Sequence, residues 1–569
     1  MSRSHRSAAS RRQSHQTTAS TDKAGATWFG NLAPGMLFVL TFVMCCFPLR
    51  DFDFWWHLKT GELILERGTV PYADWFTYMD ANQPWIDMHW GFQILIVGVY
   101  RFLGVNGVIL TKAMLFTTAV AIGWIAAGRH LPRAGKVFIW LPAVIAISGR
   151  AYERPEMLTV LFLAMALLLA EKCRNNTRWL PAWPLLILVW ANCHALFILG
   201  IVVWCALAGE ALLRQIPMIS NLPVTRHWHP ISPRQVALYT VLILGAALIN
   251  PYTLDGLMFP WVLYRKFSVE NDFYGVRIGE FRAPVMFLKG LIQQYGPVGG
   301  IIQAGWNLYF TSEVAVFLIA LASFRGIFTR KHFSPFRLVL FAGFSHLAWV
   351  ATRNTSIFSL VAAVTACANL QDERRTLRSD EPGRHDESPL GSQLATLGLG
   401  LLMVIFISGE WGHFVEKWKV FGFGEAKNWF GHDAVKFSGQ QGHPNRAFVA
   451  HIGLAATWIY HNGPYKKVFM DPRLEVCSRK TFEQYDRVLA MMATGATGWE
   501  QIVNPDHGEM PTVILDSRHS RPQINGMLQR PDWRLVFADQ SAAVFLTTTQ
   551  ADALSLKPAD PSILVEIQD

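Results

Sequence analysis

Residues 51–93 read DFDFWWHLKTGELILERGTVPYADWFTYMDANQPWIDMHWGFQ and directly follow an apolar segment. Acids and histidines stand among five tryptophans, which are Trp55, Trp56, Trp75, Trp85 and Trp90. The stretch is too polar to cross a bilayer, so it predicts a long loop at the membrane surface. A long loop with this much aromatic and acidic side chain is typical of a functional segment rather than a spacer.

The chain around this loop consists largely of apolar runs. Of its 569 residues, 51% are hydrophobic. They cluster in runs of about 15–22 residues, the length that a helix needs to cross the bilayer core. The runs recur from the N-terminal part to residue 409 and then stop. The sequence therefore predicts an α-helical polytopic membrane protein with about eleven transmembrane helices and a C-terminal soluble α/β domain.

The charge and the cysteines exclude two classes of protein. The formal net charge is +10, and the lysines and arginines stand in short segments between the apolar runs. That placement is typical of residues that orient membrane spans, so no nucleic-acid partner is expected. The seven cysteines form neither a disulfide framework nor a CxxC zinc spacing.

Three regions follow from these patterns. Residues 1–27 are rich in Ser, Arg, His and Thr, which predicts a disordered cytoplasmic tail. Residues 28–410 are predicted to form the transmembrane domain, with a first span at Trp28–Leu49 and an outer loop at 50–104. Residues 411–569 are predicted to form an extracytoplasmic α/β domain.

The segment after the loop allows two topologies. Met88–Leu103 is either a second span, in a tight hairpin with Val105–Ala127 through Gly104, or an amphipathic helix on the outer membrane surface. The hairpin would place the basic residues after Ala127 outside, against the positive-inside tendency. The surface helix is therefore favoured, with the N-terminus in the cytoplasm and the C-terminal domain outside.

The C-terminal region alternates short apolar runs with helical patterns, which favours a small α/β domain. Strands are predicted at Lys467–Asp471, Thr512–Asp516, Arg534–Phe537 and Ser541–Leu546, and helices around Arg446–Tyr460 and Phe482–Met492. No GxGxxG or Walker pattern follows these strands, so no nucleotide site is expected. Asp471, Arg473 and Glu475 predict a local ion pair, with recognition of an acceptor as the alternative.

Several motifs resemble those of one class of proteins. A D-D-WWH-L-x-x-G pattern runs from Asp51 to Gly61, and a D-x-F-S/T-Y pattern runs from Asp74 to Tyr78. The others are WANCHALFILG at Trp190–Gly200, NPY at Asn250–Tyr252, GEFRAP at Gly279–Pro284 and VFMDPRLE at Val468–Glu475. With its topology and its first loop, the chain resembles the GT-C superfamily of membrane glycosyltransferases. With these motifs, it resembles more specifically a largely uncharacterised bacterial group related to protein O-mannosyltransferases and the lipid A aminoarabinose transferase.

The resemblance implies a reaction. Enzymes of that class transfer a sugar from a polyprenyl-phosphate donor to an acceptor. The transfer needs a base for the acceptor proton and positive charge on the departing lipid phosphate. Asp51 and Asp53 are the predicted catalytic acids, because an acid after the first span stands in that place in the class. The alternative is that they cap or position the helix of the loop.

A second set of side chains is predicted to bind the substrate or its phosphate. They are His57, Arg150, Glu153, Arg154, Glu156, His194, Arg282 and Arg353. Those from Arg150 to Glu156 stand on the predicted second outer loop, where ion pairs at helix ends are the alternative. His194 stands in an apolar stretch, where a polar group is costly unless it is paired or faces a cavity.

The sequence also bears on a metal cofactor and on the binding partners. His57 and His89 with the nearby acids are one option for a divalent metal, but their spacing is not a metal motif and favours interfacial hydrogen bonding. The partners that the resemblance implies are a polyprenyl-phosphate sugar donor, the lipid bilayer and a glycan, lipid or protein acceptor.

The sequence thus predicts a glycosyltransferase of the bacterial inner (cytoplasmic) membrane that acts in the cell envelope, on the outer face. A transporter or flippase for a lipid-linked glycan is the first alternative, and it predicts charges deep inside several spans with broken helices in matching halves. A non-catalytic scaffold is the second alternative, and it predicts that Asp51 and Asp53 can be replaced without loss of function.

Overall fold

The computed structural model describes residues 32–128, 130–325, 333–377 and 389–564. The predicted disordered tail, residues 1–27, lies outside these ranges. The chain divides into two compact units. The helical unit comprises Met1–Pro48 and Ile109–Phe423, and the loop–sheet unit comprises Leu49–Val108 and Gly424–Asp569. The polar loop after the first helix therefore belongs to the same compact unit as the C-terminal domain.

The helical unit consists of mainly apolar α-helices. Its described helices are Leu32–Met44, Arg133–Ser148, Glu156–Asn175, Ala182–Ala191, Ile198–Leu213, Pro217–Ser220, Pro233–Leu248, Thr253–Val269, Asn271–Arg277, Pro284–Trp306, Leu308–Ser323, Pro335–Val350, Thr355–Leu377 and Pro389–Ile407. Five of them begin with a proline, namely Pro217, Pro233, Pro284, Pro335 and Pro389. Proline is well suited to the first helical position, because the N–H that it lacks would have no intrahelical acceptor there.

Three helices are long and apolar enough to cross a membrane, namely Trp90–Ala126, Ala195–Leu213 and Pro389–Ile407. Two bent pairs raise the number to five among the described residues if each pair is one span. They are Pro233–Leu248 with Thr253–Val269, bent by 94°, and Pro284–Trp306 with Leu308–Ser323, bent by 90°. These helices indicate a membrane protein. The predicted eleven spans are not confirmed, because other apolar helices, such as Arg133–Ser148 with 16 residues, fall short of the usual length.

The helix Trp90–Ala126 has 37 residues and a break at Gly104. Gly104 has a φ of +62°, in the left-handed region that side chains other than glycine rarely adopt. Both predicted topologies place a break at this position. The glycine is what allows one continuous apolar run to form two separate helical segments.

The loop–sheet unit is built on a five-stranded sheet. Its strands are β1 (Arg446–Ala450), β2 (Lys467–Val468), β3 (Thr512–Asp516), β4 (Trp533–Ala538) and β5 (Ala542–Thr547), in the order β2-β1-β3-β5-β4. The strands β2, β1 and β3 are parallel, whereas β5 runs antiparallel to β3 and β4. The helices of the unit include Asp53–Arg67, His432–Ser438, Ile452–Asn462, Arg479–Ala493, Glu500–Val503, Arg521–Leu528 and Thr548–Ala553. The predicted C-terminal α/β domain is thus present.

Strand β1 corrects the predicted helix at Arg446–Tyr460. Residues 446–450 form a strand between β2 and β3, and the helix begins only at Ile452. Four of the five strand residues are buried, as is usual in an internal strand of a parallel sheet. Strand β2 is also shorter than predicted, since it ends at Val468 rather than Asp471.

The polar loop extends the sheet beyond β2. Its helix Asp53–Arg67 ends at Gly68, which adopts the left-handed conformation. Further along, the N–H of Val468 donates to the carbonyl of Phe76 at 2.9 Å, and the N–H of Tyr78 donates to the carbonyl of Val468 at 3.1 Å. Thr77 therefore forms a parallel bridge with β2, and the loop covers an otherwise open edge of the sheet.

Arg473 is 1% exposed and joins the loop to the region after β2. Its Nε lies 3.1 and 3.0 Å from the two carboxylate oxygens of Asp471, and its Nη2 donates to Asp74. Burial alone would raise the pKa of Asp74, but the Arg473 guanidinium and the Thr77 hydroxyl hold it below its usual value. The predicted local ion pair of Asp471 and Arg473 is present, and a loop carboxylate completes it.

Lys419 is a second buried cation, and it belongs to the helical unit. It is 1% exposed and donates to the carbonyls of Gly149 and Ser148. Its ammonium group also lies 4.7 to 5.4 Å from the centroids of four aromatic rings, which belong to Phe47, Tyr152, Tyr309 and Trp418. Burial lowers the pKa of Lys419 to about 7, because few water molecules solvate the charged form there.

Replacement of Arg473 by methionine is expected to destabilise the loop–sheet unit strongly. Arg473→Met leaves Asp74 and Asp471 buried without their counter-charge, which costs about 3–5 kcal/mol in comparable sites. The measurement is equilibrium unfolding of the full chain in detergent, followed by tryptophan fluorescence. The control is Arg479→Met, which removes an ion pair with Glu483 whose side chains are 45% and 53% exposed. An equal loss of stability in both variants would contradict the proposed importance of the buried pair.

The stability contributed by Lys419 is expected to depend on pH. Since its pKa is about 7 in the folded chain and 10.5 as the reference value, both states carry the proton below pH 7 and the cost of burying it is complete. Above pH 7 the folded state loses the proton first. The free energy of unfolding of the wild type, relative to Lys419→Met, should therefore rise by about 1.4 kcal/mol per pH unit between pH 7 and 10. A difference that stays constant over that range would show that Lys419 titrates normally.

Candidate active site

A cavity of about 1040 Å³ lies within the helical unit. This volume is at the upper end of ligand pockets, which typically measure about 300–1,000 Å³. The charged and aromatic polar side chains of its wall are Arg150, Tyr152, Asp272, Glu280, Arg282, Tyr309, Glu313 and Glu416. Two of the predicted binding residues, Arg150 and Arg282, therefore line the same cavity.

Glu280 lies at the centre of the charged part of this wall. It stands in the short 3-10 helix Gly279–Phe281, between the two bent helix pairs. Arg150 Nη2 donates to Glu280 Oε2 at 2.8 Å. Arg154 Nη1 donates to the same oxygen at 3.1 Å and to Oε1 at 3.3 Å. One carboxylate thus orients two of the predicted phosphate-binding arginines.

The other two predicted arginines lie beside this group. The N–H of Thr352 donates to the carbonyl of Arg282 at 3.0 Å, and the Thr352 hydroxyl donates to the carbonyl of Glu280 at 3.3 Å. The guanidinium of Arg353 lies over the ring of Phe281, 4.9 Å from its centroid. Arg282 itself donates to the carbonyl of Val276 at 2.6 Å. The structure thus brings together four arginines that the sequence places on three separate segments.

The electrostatics of the group hold Glu280 in its ionised form. Burial alone would raise the pKa of Glu280, but the nearby Arg154, Arg150 and Arg353 lower it far below its usual range. Glu280 is therefore ionised at neutral pH and holds guanidinium groups beside the cavity. Guanidinium groups recognise phosphate through paired N–H donors, so the group can contribute to a phosphate site.

The remaining predicted residues of the helical unit have structural partners. Glu153 is fully buried, and its Oε1 lies 2.6 Å from Lys112 Nζ. His194 Nδ1 lies 2.6 Å from the Thr159 hydroxyl. Glu156 stands in the first turn of the helix Glu156–Asn175, where a carboxylate interacts favourably with the helix dipole. Their predicted roles in substrate binding stay predictions.

Asp51 and Asp53 lie at the start of the loop helix. Asp51 is 4% exposed, and its Oδ1 accepts the N–H of Asp53 at 2.9 Å. Asp53 Oδ1 accepts the indole N–H of Trp56 at 3.3 Å. These contacts are those of residues that position the loop helix, which is the alternative to a catalytic role. A positioned carboxylate can also serve as a base, so both interpretations stay open.

His57 and His89 make hydrogen bonds rather than converge on one point with the acids. Gln93 Nε2 lies 3.3 Å from His57 Nδ1, and His89 Nδ1 lies 3.2 Å from Asp87 Oδ1. The rings of the two histidines lie 5.4 Å apart. Within the described ranges, a group of three side chains that could hold a metal ion is formed instead by His451, Asp516 and His519.

The sequence analysis missed Glu280 and this histidine–aspartate group. Glu280 stands in the GEFRAP motif, but only the arginine of that motif was selected. An acid between two apolar helices is itself a signal, because a membrane protein rarely keeps such a charge without a partner. The sequence pattern predicts a helix where strand β1 lies, so it does not indicate that His451, Asp516 and His519 meet.

No family model matches the sequence, and no curated protein matches it. Among solved structures, the crystal structure of the Archaeoglobus fulgidus oligosaccharyltransferase in the apo form is similar, with a TM-score of 0.53 and 12% sequence identity. The similarity covers 85% of this chain and 69% of that chain. At this level of identity, it shows a shared fold and leaves the function open. The chain thus shares a fold with this oligosaccharyltransferase, whereas the GT-C class and the bacterial group within it stay predictions.

Proposed function

We propose that this protein is a membrane glycosyltransferase that moves a sugar from a polyprenyl-phosphate-linked donor to an acceptor on the outer face of the membrane. The fold that it shares with an oligosaccharyltransferase supports a lipid-linked glycan donor. We place the protein in the bacterial inner membrane, with the N-terminus in the cytoplasm and the C-terminal domain outside, because this agrees with the placement of lysines and arginines.

The observation that carries the proposal is the group of arginines around Glu280. Arg150 and Arg154 donate to Glu280, and Arg353 also lowers the pKa of that carboxyl group. The group lies at a cavity of about 1040 Å³, whose wall also carries Arg282 and the acids Asp272, Glu313 and Glu416. Several guanidinium groups held together at a cavity can make paired N–H contacts to a phosphate.

The reaction that fits is a single inverting displacement. The oxygen or nitrogen of the acceptor forms a bond to the anomeric carbon while the bond from that carbon to the phosphate oxygen breaks. The acceptor proton passes to a carboxylate, for which Asp51 is the first candidate and Asp53 the second. The lipid phosphate leaves with the bonding electron pair, and the arginines stabilise the negative charge that it gains.

The two rival functions make different demands on the fold. A flippase would favour broken helices in matching halves of the chain. The two helix pairs bent by about 90° both lie within residues 233–323 and have no counterpart among the described residues that precede them, where the break at Gly104 lies within a single helix. A scaffold would not require a group of arginines at a cavity. The transferase therefore accounts for more of the observed features than either rival.

Loss of one arginine is expected to weaken binding of the donor. Arg150→Gln removes a charged hydrogen-bond donor from the cavity wall, and such a bond contributes about 1.5–3 kcal/mol, so the Kd for a polyprenyl-phosphate sugar should rise about 10-fold or more. The measurement is donor binding to the purified protein in lipid nanodiscs. Glu280→Gln changes the charge in the opposite direction and should tighten binding at low salt.

The control for this experiment is Arg325→Gln. Arg325 also belongs to the helical unit and pairs with a glutamate, Glu373, at 2.8 Å, but its side chain is 63% exposed. The substitution should leave the Kd unchanged. If Arg150→Gln lowers thermal stability but binds the donor as tightly as the wild type, the arginines have only a structural role and the proposal loses its main support.

Loss of a catalytic acid is expected to abolish turnover without abolishing binding. Asp51→Asn or Asp53→Asn keeps the shape of the side chain and removes the base, which should reduce release of polyprenyl phosphate by about 10²–10⁴-fold. The assay compares the purified variants on a panel of polyprenyl-phosphate sugars. Glu66→Gln is the matched control, because Glu66 is an exposed acid of the same loop helix.

The pattern of results distinguishes a catalytic base from a residue that only positions the loop helix. A base produces lower turnover with unchanged donor Kd and unchanged thermal stability. A positioning role produces a parallel loss of stability, since Asp51 accepts the backbone N–H at the start of the loop helix. Full turnover in both variants would favour the scaffold, and a wild type that neither binds nor cleaves any donor would overturn the proposed function.

A further inference from the structure

Two histidines and one aspartate meet at one edge of the sheet in the loop–sheet unit. His451 directly follows β1, Asp516 is the last residue of β3, and His519 lies three residues further on. The strands β1 and β3 are parallel neighbours, with Ala450 opposite Leu515. The carboxyl ends of parallel strands are the edge where α/β proteins commonly bind their ligands.

The three side chains are close enough to share one ion. One possible ligand atom from each lies within 4.8 Å of the others. His519 Nδ1 is 2.9 Å from Asp516 Oδ1, and the rings of His451 and His519 stack with centroids 4.5 Å apart. Asp516 is itself fixed, since its Oδ1 accepts the N–H groups of Arg518 and His519, each at 2.9 Å.

The backbone holds His451 in an unusual conformation. Its φ is +93°, which is sparsely populated by residues other than glycine and typically persists where the surrounding structure enforces it. The N–H of His451 donates to the hydroxyl of Tyr485 at 2.7 Å, which helps to fix the strained residue. Strain of this kind is common at functional sites.

The side chain of His451 supplies the second, independent observation. Its Nδ1 is buried and makes no hydrogen bond within the part of the chain that the structure describes. Buried polar atoms of proteins almost always have a partner, because leaving one without a partner is destabilising. This nitrogen lies beside an imidazole and a carboxylate, and its lone pair can coordinate a metal ion.

We propose that His451, Asp516 and His519 bind a divalent metal ion of the zinc class. Imidazole nitrogen and carboxylate oxygen together suit Zn²⁺, whereas Mg²⁺ and Ca²⁺ prefer sites made of oxygen ligands. Three protein ligands leave one position of a tetrahedral site open, which is the arrangement of zinc sites that also bind water or a substrate oxygen. His519 provides access, because its side chain is 48% exposed.

The site would also steady the segment that carries the two loop acids. The ring of Phe52, which stands between Asp51 and Asp53, contacts the His451 ring edge-on with centroids 4.6 Å apart. A Cβ added at Gly453 would lie 2.1 Å from the Phe52 ring, so the glycine makes room for it. This consequence rests on the proposed function, whereas metal binding at the three residues does not.

The test is metal binding to the full chain without any donor. Untagged protein in detergent is stripped with a chelator and titrated with Zn²⁺ against a chromogenic competitor, and the bound metal is counted by mass spectrometry. The wild type should bind one Zn²⁺ per chain, and a large excess of Mg²⁺ should not displace it. His519→Ala and Asp516→Asn should each weaken binding about 10-fold or more, since each removes or neutralises a ligand.

Two further measurements distinguish a loss of metal binding from a loss of folding. His507→Asn is the control, because His507 is an exposed histidine of the same unit and asparagine tolerates its φ of +53°. It should bind Zn²⁺ as the wild type does. Co²⁺ in place of Zn²⁺ should give visible absorption bands that His519→Ala alters while its circular dichroism is unchanged. A wild type without stoichiometric Zn²⁺, or a His519→Ala variant with unchanged affinity, would overturn the proposal.

Discussion

The buried guanidinium of Arg473 is the constraint on which the loop–sheet unit depends. A charge in the interior is tolerated only where opposite charges and hydrogen bonds surround it, and here two carboxylates do so. Asp471 is a near neighbour in sequence, but Asp74 comes from the loop almost 400 residues earlier. Because one guanidinium binds both carboxylates, it fixes the loop beside β2, where the backbone of Phe76 and Tyr78 continues the sheet.

The same physical rule has a different outcome at Glu280. Arg473 is enclosed by its two carboxylates and is 1% exposed, whereas the arginines around Glu280 lie beside a cavity of about 1040 Å³. The first arrangement maintains the fold, and the second leaves room for a ligand. The proposed phosphate contacts rest on this difference.

The sheet edge adds a site that the helical unit does not provide. A histidine in a strained conformation, with a buried and unpaired Nδ1, stands between the carboxyl ends of two parallel strands and the ring of Phe52. If a metal ion occupies this place, the C-terminal domain has a role beyond covering the loop. The ion would then be linked, through His451 and Phe52, to the segment that carries Asp51 and Asp53.

The features that depend on composition and local pattern could be predicted from the sequence. Apolar runs indicated the membrane protein, the break at Gly104 followed from a glycine between two helical patterns, and a signature of acids and tryptophans marked the loop. Which distant residues contact each other depends on the tertiary structure. Spacing in the sequence does not predict contacts such as Asp74 with Arg473 or Arg154 with Glu280. Strand β1 is a further example. The segment RAFVA is compatible with a helix or a strand by its pattern, and the strands beside it make it a strand. This strand places His451 at the edge of the sheet.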